Sequence, residues 1–448
     1  MKQSSDFLET TPVHKLIRNF STFAIISMVA TGSVSMIGAL IVSRGIDVHA
    51  VGAMGILFPL TSIFFGFSQL VAIGAGSYIS RLLGQKKKDV ATSAIVTSYG
   101  MSFVISAMLI LITLLFKNSI LEFLGADGSY TESARTYLST YIFGIPFIAT
   151  TLLTSAILRA YGKQHLSTLI IVIDAVLVLG IDYVLVFVFS AGMTGVALSN
   201  AVGSLISSII GMVLLYKMVG RTKKLKEFRV IDFATIKSVL TVGISALGRA
   251  ITVSAFAFIL NRALNEIAPD EVITALGTVN RIVMLILYMI MGINQAMQPV
   301  ASFNYSAKNI SRVKEALKFS LIYATIIGLT GMIIGYLFTT QILNLFTSSV
   351  EILDDATRIF RMQLLMYATI GIQTLTATYF QAIGKGRMSF FLSTVKPALI
   401  LIPLTIIISS FSKNVDALWW MYPVADVITT AICVVILRRD LMKLEFAL

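Results

Sequence analysis

Twelve stretches of this chain are apolar and long enough to cross a bilayer as helices, and nothing else in the sequence restricts the fold so strongly. They fall at about 18–43, 51–80, 92–116, 136–158, 166–189, 193–216, 238–261, 276–303, 319–340, 359–380, 388–411 and 416–437. Backbone inside hydrocarbon must satisfy its own hydrogen bonds, so the expected fold is an all-α polytopic membrane protein. The composition agrees, with 56% hydrophobic and 13% charged residues. The opening MKQSSDFLET is polar and lacks an apolar core, so the first span is expected to be retained rather than cleaved.

Twelve spans place both termini on one side. Of the 35 Lys and Arg, about 25 lie at the termini and in the loops after even-numbered spans. They include RLLGQKKK (81–88), KMVGRTKKLKEFR (217–229) and KNISRVKEALK (308–318). The positive-inside rule therefore puts both termini in the cytoplasm of a multi-pass protein of the cell membrane. The net charge of +13 marks topology, and no nucleic-acid partner is needed to explain it.

The halves repeat. At an offset of 226, Gln69 meets Gln295, Ala75 meets Ala301, Ser80 meets Ser306 and Lys88-Asp89 meets Lys314-Glu315. At an offset of 222, RAYGKQHLS (159–167) overlays QAIGKGRMS (381–389). Six spans repeated in one orientation predict two pseudo-symmetric six-helix lobes, residues 1–220 and 221–448, joined by a basic cytoplasmic linker at about 217–237. This is a transporter architecture with its binding site between the halves.

The fifth span, STLIIVIDAVLVLGIDYVLVFVFS (167–190), carries Asp174 and Asp182 without an internal Lys, Arg or His. A carboxylate at bilayer depth costs on the order of 3 kcal/mol on insertion scales, so such residues usually face a cavity and do work there. The eight-residue gap separates the two by roughly 12 Å along the helix and roughly 80° around it. Both can look into one cleft. The competing explanation is that each is a buried packing group satisfied by Ser or Asn.

The blocks GILFPLTSIFFGFSQLVAIGAGSYISRLLGQ (55–85), GINQAMQPVASFNYSAK (292–308), YFQAIGKGRMSFFLS (379–393) and PVAD (423–426) resemble the multidrug and toxic compound extrusion (MATE) family, in its bacterial DinF-like branch. The likeness runs over nearly the whole chain. It implies twelve transmembrane helices in two lobes and export of amphipathic, often cationic compounds in exchange for protons or sodium ions. The family often has an Asn-Ile-Val-Asp stretch in its first helix; here that place reads Ser35-Met36-Ile37-Gly38, without the acid. A Pro that commonly bends that helix falls on Phe23. In the fifth helix the family's Asn and Asp fall on Val178 and Asp182, and in the sixth a Thr falls on Asn200.

Asp182 and Asp174 are therefore the expected ion-coupling residues. Ser35, Met36, Asn200, Gln69, Gln295, Gln298 and Met291 are the candidates for the substrate cleft. Gln295 and Gln298 precede Pro299, where a broken helix would expose carbonyls. Arg249, Asp426 and Lys396 are intramembrane charges with a structural or gating role. An Arg249–Asp426 pair is the first expectation, with Lys396 as the other partner open to Asp426. A cation would prefer the amino-terminal half, which has two intramembrane acids and no base.

Catalysis and metal binding find no support. No G-x-x-x-x-G-K-[ST] loop occurs, and His14, His49 and His165 lie at or outside span ends. The lone Cys433 excludes a disulfide framework and a Cys-based zinc site. The expectation is a monomeric, non-enzymatic antiporter in the lipid bilayer, without cofactor, driven by a proton gradient with sodium as the alternative. Its partner is a small amphipathic or cationic substrate. A flippase for a lipid-linked precursor is the competing function, and would favour a strongly cationic cleft.

Overall fold

A computed structural model describes residues 6–125, 129–219, 232–346, 349–412 and 414–446. The expected linker lies mostly outside the described residues. The first half contains α1 (Asp6–Thr10), α2 (Val13–Gly45), α3 (Val48–Gly84), α4 (Lys88–Phe123), α5 (Ser129–Tyr141), α6 (Ile145–Ala160), α7 (Gln164–Tyr183) and α8 (Gly192–Val219). The second contains α9 (Phe233–Ile267), α10 (Asp270–Ser306), α11 (Ile310–Leu337), α12 (Thr339–Asn344), α13 (Val350–Leu364), α14 (Ile370–Ala382), α15 (Gly386–Thr394), α16 (Ile402–Phe411), α17 (Val415–Trp419) and α18 (Met421–Phe446). Eleven helical segments among the described residues are long and apolar enough to span a membrane.

The tenth crossing differs from the continuous span expected at 359–380. It is broken between α13 and α14, where Met366 leaves helical geometry (φ −115°, ψ 18°) and a 3-10 turn follows at Tyr367–Thr369. The Tyr367 hydroxyl donates to the Val283 carbonyl at 2.8 Å, tying the break to α10. The fourth crossing has a similar interruption, a 3-10 turn at Ile142–Gly144 between α5 and α6. Hydropathy is blind to such breaks because the residues on either side remain apolar. The break expected at Pro299 is absent, and α10 runs through it without interruption. Residues 296–304 around it are all buried.

The repeat is visible in the backbone. Lys86 (φ 61°) and Lys308 (φ 62°) share a left-handed conformation, as do Gly162 (φ 74°) and Gly384 (φ 82°), each pair 222 positions apart. The 226 register of the first sequence block is thus corrected by four residues. Four residues are about one helical turn, so the slipped alignment still matched the same helix face.

The lobes meet at one end and part at the other. Ser77 donates to the Gln381 carbonyl at 2.7 Å and Ser80 to the Pro299 carbonyl at 2.9 Å. Gly74 and Gly243 bring α3 and α9 so close that a Cβ on either would collide with a backbone carbonyl, of Val239 and Leu70 respectively. Below them, Arg312 donates to the carbonyls of Leu8 (3.0 Å) and Thr11 (2.6 Å), fastening the amino-terminal turn, with Leu8 buried, across the seam. This sealed end carries the basic runs at 81–88 and 308–318. Toward the other end the contacts Gly66–Ala250 and Gly32–Tyr288 form a floor. Beyond the floor, Phe58 is 50% exposed and Gly55 has no neighbour within 4 Å of a would-be Cβ. The packing at these two residues is thus looser than at the basic end.

Candidate functional site: a carboxyl cavity and its mirror

Asp182 lies in the last turn of α7, immediately before a π-helical turn at Val184–Val188. Such widened turns recur at functional sites. The residue is 2% exposed, and its Oδ1 has no hydrogen-bond partner. Ser199 of α8 lies within hydrogen-bonding reach, and Tyr137, which stacks on Tyr141 with ring centroids 5.2 Å apart, lies in the same neighbourhood. Neither Ser199 nor Tyr137 was expected from sequence. Ser199 adjoins Asn200 and could have been found from it, whereas Tyr137 is brought in only by tertiary packing of α5.

The absent family carboxylate is accounted for in space. A Cβ on Gly38 would stand 3.9 Å from Asp182 Oδ2, so Gly38 leaves room directly beside the acid. Val178, at the family's Asn position, is buried with its side chain against Gly203, and it supplies no oxygen. Asn200 donates to its own helix at Val196 O (2.9 Å). No ion pair reaches Asp182 or Asp174 among the described residues. Asp174 is within reach of Ser204 and Ser207 of α8, and its Oδ1 is also buried and unpartnered. The two acids share the α7–α8 seam at different depths.

The other lobe carries the mirror image with charges exchanged. Adding 222 turns Asp174 into Lys396, Ser204 into Asp426 and Thr151 into Gln373. Thr151 donates to the Ser204 carbonyl at 3.2 Å, and Gln373 to the Asp426 carbonyl at 3.3 Å. Where Asp174 approaches Ser204, Lys396 Nζ sits 2.5 Å from Asp426 Oδ1, which also accepts from Gln373 at 2.8 Å. Lys396 projects from a π-helical segment, Val395–Leu401, that includes Pro397. The expected Arg249–Asp426 pair is thus corrected. Residue depth along each helix allowed either base, and rotation about the helix axes selects Lys396.

The remaining candidates divide at the floor. Ser35 and Met36 lie one turn outward of Gly32 on the same face of α2, and Ser35 is exposed there, in keeping with a cleft wall. Gln295 and Gln298 instead lie below the floor and join the lobes. Their Nε2 atoms approach Met28 Sδ (3.3 Å) and the Ile73 carbonyl (3.5 Å). Their assignment to an open cleft is corrected for this conformation. Gln69 and Met291, both partly buried, lie one turn on the sealed side of Gly66 and Tyr288. No group of three His, Cys, Asp or Glu suited to a metal occurs among the described residues.

The chain is similar to known transporters. It is 24% identical to the multidrug export protein MepA of Staphylococcus aureus (strain MSSA476) over 442 residues, covering 98% of this chain and 97% of the relative. MepA of Staphylococcus saprophyticus is 23% identical over 446 residues, covering 98% of this chain and 97% of the relative. Among solved structures, a MATE transporter in complex with MaL6 superposes with a TM-score of 0.92 at 20% identity, covering 99% of both chains. An outward-facing MATE family transporter of the MOP superfamily gives 0.92 at 21% identity, again covering 99% of both chains. The MatE family model matches twice, at residues 24–184 and 246–407, and the two matches begin 222 positions apart. With its helices, its duplication and these matches in agreement, the chain belongs to the MatE family, the multidrug and toxic compound extrusion transporters, and is not an enzyme.

Proposed function

We propose that this protein is a proton-coupled antiporter that exports amphipathic, cationic compounds across the cell membrane. The observation that carries this reading is Asp182: a buried, half-partnered carboxyl without a neighbouring base, in the lobe whose cleft is open to one side. A sodium site needs several converging oxygens, because the ion sheds most of its water. The positions that would help supply them are Gly38 and Val178. A proton needs only the carboxyl.

Coupling then follows from one charge serving two ligands. With the cleft open to the cytoplasm, a cationic substrate binds beside ionised Asp182 and favours loss of the proton. With the cleft open outward, protonation removes the attraction and the substrate leaves. Competition for the same charge is the coupling free energy. Asp174, deeper toward the basic end, serves as a relay or a second cation contact. The names of the staphylococcal relatives support drugs as the substrate class.

This reading includes a monomer of two lobes, 1–220 and 221–448, with both termini in the cytoplasm. No cofactor takes part beyond the ion gradient. The open end of the cleft then faces outward, since the sealed end carries the basic loops. Proteoliposomes loaded with a cationic dye, with pH and sodium gradients imposed separately, test the coupling. Dye movement should follow the pH gradient. Movement driven by sodium at zero pH difference would overturn the proton assignment.

A further inference from the structure

We infer that Arg249 forms an anion subsite in the carboxy-terminal lobe, so that the substrates include zwitterionic amphiphiles whose carboxylate it receives while Asp182 holds their cationic end. The inference rests on the export reading and names its substrate class.

Arg249 lies at the middle of α9, one residue before Ala250, whose contact with Gly66 marks the cleft floor. It shares a helix face with Ser245, which accepts from Gln381 of α14 at 2.9 Å, and with Phe256, which packs edge-on against Tyr422 of α18. The guanidinium is therefore turned toward the interior of its lobe, and it remains partly exposed. Among the described residues it makes no ion pair and no side-chain hydrogen bond. The intramembrane acid of this lobe, Asp426, is already neutralised by Lys396 and bonded by Gln373.

A guanidinium has five donors and stays charged under all physiological conditions. At bilayer depth it needs hydrogen-bond acceptors, and where the described residues supply none, an anion or water in a cavity must. Lys396 and Asp426 cancel, so this polar interior keeps one net positive charge. The charge has no counterpart at the equivalent position of the first lobe, Ser27, whose hydroxyl bonds its own helix at Ala24 O (2.8 Å).

A second cation extends the positive wall. Arg281 is exposed, has no partner among the described residues, and lies two turns outward of Tyr288 on the same face of α10. Gly38, which faces Asp182 of α7, stands six residues outward of Gly32 on α2. Gly32 and Tyr288 are in contact, so Asp182 and Arg281 occupy similar depths on opposite lobes, about 9–10 Å above the floor by helix rise. The structure thus holds a buried carboxyl in one lobe and guanidinium groups in the other. Planar carboxylates are the natural ligands of such groups, bound bidentately.

The test uses rhodamine B, which carries both a cation and a free carboxylate, and its ethyl ester, which lacks the carboxylate. Binding of each to the purified full-length protein in detergent is measured by fluorescence polarisation. Arg249→Gln should lower the acid-to-ester affinity ratio by about tenfold, the scale of a charge-assisted hydrogen-bond pair, and Arg249→Lys should restore part of it. A ratio that Arg249→Gln leaves unmoved overturns the subsite. Because that variant removes an intramembrane charge and can alter folding, unmutated protein supplies a second measurement. Naphthoate should displace rhodamine B more effectively than the ester, and equal displacement of the two overturns the subsite. Failure of vesicles to export either dye would instead sink the export reading, while the binding ratio still decides the subsite.

Discussion

Gly38 of α2 faces Asp182 of α7, so that a methyl group on the glycine would stand 3.9 Å from Oδ2. The missing second carboxylate of the family cluster has left space at the one acid that remains. Gly38→Asp should fill that space and supply two more oxygens to the cavity. The expected outcome is dye export driven by a sodium gradient at equal pH in the variant, with none expected from the parent protein. An absence of any sodium response in a folded Gly38→Asp variant would show that further oxygens are needed.

The Lys396–Asp426 pair should be worth more intact than either partner alone. Side-chain exposures are 23% for Lys396 and 3% for Asp426, so removing one partner strands the other in a poorly solvated place. Lys396→Met and Asp426→Leu should each destabilise the protein by about 3–5 kcal/mol, and the double variant should recover much of the loss. Thermal unfolding in detergent across the four proteins measures this. Purely additive losses would contradict direct coupling.

Sealing at the basic end depends on bare backbone. Gly243→Val should push α3 and α9 apart, because its side chain has no space before the Leu70 carbonyl. Cysteines placed on either side of this seam should become accessible to a hydrophilic maleimide from the cytoplasm. Unchanged protection would mean that the seal rests on Ser77, Ser80 and Arg312 instead.

Orientation is tested at Asp354. Its carboxylate lies 2.7 Å from Arg358, which also reaches Asp416 at 3.3 Å, in an exposed cluster on the chain segment entering the tenth crossing. Exposed pairs of this kind add little stability, so Asp354→Cys should fold normally. Intact cells should be labelled there without permeabilisation. Cytoplasmic labelling would invert the second lobe and end the parallel repeat.

How much of this was legible in the sequence depends on what each signal measures. Hydropathy found the spans, because burial in lipid acts on whole segments. It could not find the break at Met366, where apolar residues continue on both sides. The 222 offset of RAYGKQHLS and QAIGKGRMS already places Lys396 on Asp174, although the other block, shifted by a turn, obscured it. Partner choice for Asp426 was not legible at all. Depth along a helix is a matter of counting, but rotation about its axis is set by packing between helices. For the same reason Asp182 stood out from its composition, while Ser199 and Tyr137 beside it did not.

The central claim is that one carboxyl, Asp182, binds proton and substrate in turn. Its most direct test is dye–proton exchange by Asp182→Asn in proteoliposomes, followed as dye efflux and internal pH together. Asparagine keeps the size of the side chain, so the variant should insert and fold like the parent. The account predicts that efflux driven by a pH gradient, and the accompanying proton flux, both fall to the level of empty vesicles, while Asp174→Asn slows exchange without abolishing it. Full proton-coupled export by Asp182→Asn would contradict the account.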